Sequence, residues 1–410
     1  MLIKKNITFQ LLINKSAFLS LLIDRLELNG YKGYDPAALL YTGKSKHVYD
    51  VIRKIRFSFV RKTTLSLISR FAYYFPNIYI SLSNPDKVVY TKGLSLVLSA
   101  LVENKLYNNN KILAHSLADK ILDRAIPSSG LWGHDISYWI GNKFISNQTP
   151  NIITTYFALS SLLDLAEHQS AYKQIVKTKI KSALNIFPFI KSENNNRGCF
   201  MYTPHTDYHV HNANLLFASL LARCVSLDLI EKKYSDIVES AINYSLTDFK
   251  ESGLYRYAGN PTPNNSIDNY HTGYILRSLH AIINYLPPLV TSDIKDFENQ
   301  LFNYYCNTFI RDYVYKYPKK SPSVIETHSL SESIIILSLY GHKLDYNARL
   351  EYIDAINRTA NMLYKPRLGY FINNIKFICP HIAIKDYTEM PRWSTAWMIN
   401  ALSRDFTSIS

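Results

Sequence analysis

One pattern recurs six times along the chain at a spacing of about sixty residues, and it constrains the fold more than any composition figure does. Each copy holds a Gly/Tyr/Phe-rich stretch, a polar turn, and a helix of small and apolar residues. The helices begin near KGLSLVLSALVE at Lys92, TTYFALSSLLDLAE at Thr154, HNANLLFASLLARC at His211, HTGYILRSLHAII at His271, HSLSESIIILSLYG at His328 and WSTAWMINALSR at Trp393. From Thr154 onward the steps are 57, 60, 57 and 65 residues. Between them lie charged, amphipathic segments at 48–73, 111–125, 171–187, 232–247, 291–311 and 347–364. In 235–249, Ile237, Val238, Ala241, Ile242 and Leu246 share one helical face. The anchored helices are apolar nearly all round, the mark of burial on every side.

Six buried helices alternating with six half-buried ones predict an all-α chain closed as an (α/α)6 toroid, with an open helical solenoid as the alternative. The period runs unbroken from about 48 to 404, so the expected organisation is an N-terminal helical extension over 1–47 and one toroid domain over 48–410. The 47% hydrophobic content supplies a large core and excludes a disordered chain. Four cysteines (199, 224, 306, 379) in no short spacing exclude a disulfide framework and point to a reducing compartment. No apolar run reaches membrane-spanning length, and the signal-like start is split by Lys15. The expected location is cytoplasmic, with peripheral contact to the inner membrane as a second expectation.

In a toroid all inner helices run the same way, so their N-termini open on one mouth and attract anions. The stretches 130–139, 197–205, 253–261 and 369–374 precede those N-termini and carry the aromatic and polar residues of a saccharide cleft. His211, His271 and His328 occupy equivalent places in consecutive copies, expected about 8–10 Å apart. Tyr208, Asn212, Asp268 and Tyr270 stand beside them. Candidate catalytic residues are therefore His211, His271, Tyr208, Tyr270 and Asp268. Candidate substrate-binding residues are Trp132, Asp135, Trp139, Tyr202, Asn212, Tyr255, Arg256, His328, Arg392 and Trp393. No metal or cofactor is expected: His209 and His211 have no third ligand at helical spacing.

The strings NIITTYFALSSLLDLAE (151–167), VHNANLLFASLLAR (210–223) and SIDNYHTGYILRSL (266–279) resemble a bacterial family found with capsule, O-antigen and biofilm-polysaccharide biosynthesis proteins. Its members often carry the label delta-aminolevulinate dehydratase, an enzyme whose (β/α)8 barrel needs a βα alternation this chain lacks. The resemblance spans roughly 85–405 and implies a six-hairpin toroid and a polysaccharide connection, without naming a reaction.

Three functions fit. An epimerase or lyase would abstract the C5 proton of a uronic acid, with His211 or His271 as base, Tyr208 or Tyr270 as acid, and Asn212 and Arg392 on the carboxylate. A glycoside hydrolase or transglycosylase would need a carboxylate pair, the best being Asp135 with Asp268, and Glu326 in reserve. A non-catalytic module would bind a nascent glycan or its lipid carrier. The net charge of +14 favours an anionic oligo- or polysaccharide, lipid-linked or free. The basic amphipathic segment 46–62 adds membrane-surface contact as a further expected partner, while no nucleic-acid motif appears.

Overall fold

A computed structural model describes residues 15–103, 106–140, 143–192, 196–259, 266–318, 323–379 and 381–404, with backbone alone for 15 and 16. The apolar start over residues 1–14 lies outside the described residues. Helices are α1 Lys15–Leu28, α2 Pro36–Tyr41, α3 Gly43–Arg53, α4 Ser58–Tyr74, α5 Pro76–Ser83, α6 Thr91–Glu103, α7 Tyr107–Leu122 and α8 Ile152–Leu165. They continue as α9 Ala171–Ile186, α10 His211–Ser226, α11 Ser235–Ser252, α12 Asn269–Tyr285, α13 Ser292–Phe309, α14 Thr327–Tyr340, α15 Tyr346–Leu363 and α16 Thr395–Ser403.

The six anchored segments are α6, α8, α10, α12, α14 and α16. Each packs on the next around a ring, and α16 packs back on α6. The ring is closed, an (α/α)6 toroid and not a solenoid. The inner helices are buried as their composition requires: in α10 every residue from His211 to Val225 is buried. Their Leu, Ile, Phe and Ala side chains belong to one continuous core, each large one contributing about 1.5–3 kcal/mol by leaving water. Close approach of α12 to α14 uses Gly273, where an added Cβ would stand 2.3 Å from Glu332 Cγ.

Helices α7, α9, α11, α13 and α15 back α6, α8, α10, α12 and α14, each from the segment that follows in sequence. The sixth outer place differs from the expected pattern. Residues 48–73, expected to fill an outer position, form parts of α3 and α4 outside the ring. Instead α1 packs on α16 and sends Leu19, Leu22, Ile23 and Leu26 into the main core. Arg25 ties this helix to Glu389 at 2.9 Å. The cluster α2–α5 has its own small core of Leu39, Ala72, Tyr79 and Met390, against which Trp393 packs.

Short strands edge the ring. Strands β1 Lys32–Gly33 and β2 Val88–Val89 pair, as do β3 Tyr138–Ile140 with β4 Lys143–Ile145 and β5 Phe189–Lys191 with β6 Gly198–Phe200. Strands β7 Ser323–Glu326, β10 Asn374–Cys379 and β11 Ile382–Asp386 form an antiparallel sheet with β10 central, and β8 Tyr364–Lys365 pairs with β9 Tyr370–Phe371. Among the described residues no helix is long and apolar enough to cross a membrane.

Candidate functional site

Side-chain caps start the inner helices α8 and α12 at one end of the ring. Asn151 Oδ1 accepts from the backbone N–H of Ile153 and Thr154, each at 3.1 Å, and Asp268 Oδ1 accepts from His271 N–H at 3.0 Å. The cap at Asp268 does a second thing. Its other oxygen, Oδ2, lies 2.7 Å from His271 Nδ1. This fixes the imidazole with Nδ1 toward the carboxylate. Asp268 is 3% exposed, whereas His271 keeps about a fifth of its side chain open.

His271 lines a cavity of about 70 Å³, bounded also by Lys92, His134, Ile153, Thr154, Tyr202, Asn212, Tyr257, Tyr270, Tyr274, Arg392 and Trp393. Five inner-helix starts or the turns before them contribute. Lys92 Nζ donates to Tyr274 Oη at 3.0 Å, and the Tyr274 hydroxyl in turn bonds His328 Nε2 at 2.8 Å. The ammonium position is walled by the rings of Phe157, Trp397 and Tyr274 at 4.6, 5.0 and 5.2 Å. Burial, then the nearby Arg392 and Arg277, push the Lys92 pKa well below the ordinary lysine value.

Arg392 donates to His134 Nε2 and pairs with Asp35 at 3.2 Å, while Trp393 Nε1 donates to the same Asp35 oxygen at 2.6 Å. Burial and then Arg392 lower the His134 pKa to about 3, so the ring is neutral and accepts. Burial raises Tyr257, Tyr270 and Tyr274 well above the ordinary phenol range, which keeps each a protonated donor. Among the described residues, the buried Asn212 Oδ1 meets no hydrogen-bond partner. A basic amine, a guanidinium, an oriented imidazole and several phenols thus face one small polar space, with no Asp or Glu on its wall among the described residues.

The sequence-expected residues divide. His271, Tyr270, Tyr202, Asn212, Arg392 and Trp393 line the cavity, and Asp268 stands behind His271. His328 lies beneath it, 1% exposed and stacked on Tyr270 at 4.1 Å. His211 does not join them. Its Nδ1 bonds Ser245 Oγ at 3.1 Å and its Nε2 Asp248 Oδ2 at 2.9 Å, both on the outer helix α11. Arg256 stands near that Asp248. Trp132 is fully buried and gives its indole N–H to Ile121 O at 2.6 Å. Trp139 lies in β3 under the Arg53 guanidinium, 3.9 Å from its centroid. Tyr208 stands by Lys143, 5.9 Å from its ring, and Tyr255 packs among Phe249, Phe297 and Tyr304.

Of the carboxylates expected as a pair, Asp268 stands behind His271, while Asp135 and the reserve Glu326 are engaged elsewhere. Asp135 accepts from Thr91 N–H at 2.9 Å and Thr91 Oγ1 at 2.7 Å, starting α6, and pairs with Arg124. Glu326 pairs with Lys316 at 2.8 Å.

Lys92, His134, Tyr257 and Tyr274 were not among the expected site residues. Lys92 occupies, in the first copy, the register that nominated the histidines in later ones, so the repeat itself held the signal. His134 and Asp35 carried none, because loops and the N-terminal segment bring them in.

A larger cavity, about 780 Å³, opens at the opposite end among the C-terminal halves of the inner helices. Its charges neutralise one another: Arg223 pairs with Asp164 and Glu167, Arg404 with Glu103, and Arg277 with Glu332 at 3.2 Å. The oriented acid–base groups are at the smaller one.

No family model matches the chain, and no curated protein does. Solved structures do match. A sugar epimerase from a ruminal bacterium aligns over 77% of this chain and 87% of its own at 10% identity and TM-score 0.54. A D-mannose isomerase aligns over 76% and 86% at 11% and 0.53. A glycoside hydrolase of family 105 from C. acetobutylicum ATCC 824 aligns over 76% and 92% at 12% and 0.52. At such identities the likeness is one of fold, and it agrees with the ring traced above: the chain is an (α/α)6 toroid.

Proposed function

We propose that the chain is a carbohydrate-active enzyme that moves the C5 proton of a uronic acid residue in an anionic glycan, as an epimerase or a lyase. The observation that carries this is the Asp268–His271 pair opening on a cavity that also holds Lys92 and Arg392. The toroid neighbours, a sugar epimerase and a glycoside hydrolase among them, support carbohydrate processing in general. The resemblance to polysaccharide-biosynthesis proteins supports a glycan in assembly, lipid-linked or free, as the substrate.

The chemistry follows from charge. A hydrogen α to a carboxylate becomes acidic when the carboxylate is neutralised and the enediolate that forms is stabilised. Arg392 and Lys92 supply that neutralisation, and a carboxylate entering beside Lys92 raises the amine's proton affinity again. His271 Nε2 takes the C5 proton, and Asp268 stabilises the imidazolium that results. The C5–H electron pair moves into the enediolate. Reprotonation from the other face, by one of the cavity's phenols, gives the epimer. Alternatively the enediolate electrons form the C4–C5 double bond as the C4–O bond breaks, the departing oxygen taking that bond's electron pair and a proton from a cavity phenol, which gives a 4,5-unsaturated product. The cavity of about 70 Å³ has room for a few waters, which suits the reacting edge of one sugar residue with the remaining glycan outside.

The test is deuterium incorporation. Uronate-containing oligosaccharides of several backbones are incubated with the protein in D₂O. Deuterium at C5, or absorbance of an unsaturated uronate, supports the proposal. Hydrolysis of neutral glycans without exchange points to the carboxylate-pair reading instead. Binding without any turnover makes the protein a glycan-holding module.

A further inference from the structure

The helical cluster α3–α5 concentrates basic and large apolar residues. Within residues 43–83 stand Lys44, Lys46, Arg53, Lys54, Arg56, Arg61, Lys62 and Arg70, against Asp50 as the one acidic residue. Eight positive less one negative charge gives +7, half the chain's net +14 in a tenth of its length. The same stretch exposes large apolar side chains: Phe57 is 76% exposed, Phe59 81%, Leu67 60% and Leu82 70%. Surface apolar residues scattered singly are ordinary, but a concentration among basic residues is not.

Local geometry shows that this exposure is not a loop accident. The three helices pack on one another, so their exposed residues belong to one body. In α4, 17 residues long, Ala72 is the sole buried residue. Val60, Leu67 and Phe71 are spaced seven and four residues apart, which sets them on one helical face, and all three are exposed. Lys62 and Arg70 are exposed beside them. The Phe71 ring adjoins that of Phe75 at 5.7 Å, and Phe75, Ile78 and Leu82 are exposed, extending the apolar surface from α4 to α5. None of these helices is long and apolar enough to span a bilayer.

We propose that α3–α5 docks the protein on an anionic lipid bilayer, α4 lying in the interface with its apolar face among the acyl chains and the basic side chains on the headgroups. Charge complementarity selects this occupant: a basic rim with an inserted apolar face matches an anionic lipid surface, where each Lys or Arg near the plane strengthens binding about fivefold. A protein groove would need acidic residues arranged to match, whereas a bilayer demands no register. The cluster's small core includes Met390 and contacts Trp393, which lines the site, so docking would hold the cavity close to the lipid surface. The proposal stands whether or not the uronate chemistry does.

The full chain is sedimented with vesicles of phosphatidylcholine alone and of phosphatidylcholine mixed with phosphatidylglycerol, at low and high salt. Binding to the mixed vesicles, lost at high salt and absent with phosphatidylcholine alone, is expected. Phe59→Ser with Leu67→Ser, and separately Lys62→Glu with Arg70→Glu, should each weaken it at least tenfold. These side chains are exposed, so the circular dichroism and melting midpoint should match the parent. Equal binding to both vesicle types, no binding, or a self-associated species in ultracentrifugation that the same substitutions dissolve would overturn the proposal.

Discussion

Asp268 holds His271 at two points, taking the backbone N–H with one oxygen and the ring Nδ1 with the other. Cap and orienting group are therefore one carboxylate, and substitutions can separate the two duties. His271→Gln should lower proton exchange about 10²–10⁴-fold, the usual range for a general base. Asp268→Asn retains an N-cap acceptor but not the charge that stabilises the imidazolium. Its melting midpoint should stay near the parent's while turnover falls. Asp268→Ala should in addition lose about 1 kcal/mol of stability. Equal turnover in Asp268→Asn and parent would remove the dyad from the chemistry.

His211 gives the converse prediction. Both of its ring nitrogens are bonded to α11, so His211→Ala strands Ser245 and Asp248 and should cost about 1–3 kcal/mol of stability. Per folded molecule, its C5 exchange should equal the parent's. Denaturant titration alongside exchange rates separates the two effects.

Lys92 enters the folded state with its proton affinity depressed, first by burial and then by Arg392. A carboxylate arriving beside it reverses part of that depression. Binding of a uronate should consequently take up protons at pH values above the amine's own midpoint. Calorimetry in buffers of different ionisation enthalpy reads this directly. Lys92→Met should abolish the uptake and weaken binding, and should raise the melting midpoint, because the methionine packs among Phe157, Tyr274 and Trp397 without a buried amine to desolvate.

Glu332 carries a pH signature in the fold itself. It is fully buried, and burial raises its pKa from 4.5 to about 7 against the opposing pull of Arg277. A carboxyl whose folded value exceeds its unfolded one contributes stability that is complete below the unfolded value and lost as pH rises through the folded one. Between pH 4.5 and 7 the contribution should fall by about 3 kcal/mol. Denaturation midpoints at pH 5 and pH 8 in Glu332→Gln and the parent test this: the substitution should flatten the slope.

The ring was legible because its signal repeats. Six apolar helices at a constant step leave few ways to bury them, and closure followed from the count. Which helix fills the sixth outer place was not legible. The charged, amphipathic pattern assigned that place to 48–73, whereas packing on α16 gives it to residues 15–28. The same limit applied at the site. Equivalent register nominated His211, His271 and His328 together, yet the first bonds to the outer helix α11 and the third lies beneath the cavity floor. Trp132 and Asp135 read as cleft residues from their neighbours. A tertiary carbonyl at Ile121 and the amide of Thr91 claim them instead.

The packing of α1 on α16 has a temporal consequence. A segment near residue 20 and a segment near residue 400 complete the same wall, and Asp35 grips Arg392 across the same seam. Contacts so distant in sequence form late. While the chain emerges from the ribosome, five hairpins can assemble as an open crescent, but Asp35 lacks its counter-ion until Arg392 emerges just ahead of α16. The part of the cavity wall that Arg392 and Trp393 supply then arrives in a single late event, and a chain interrupted before that seam carries an unsealed ring.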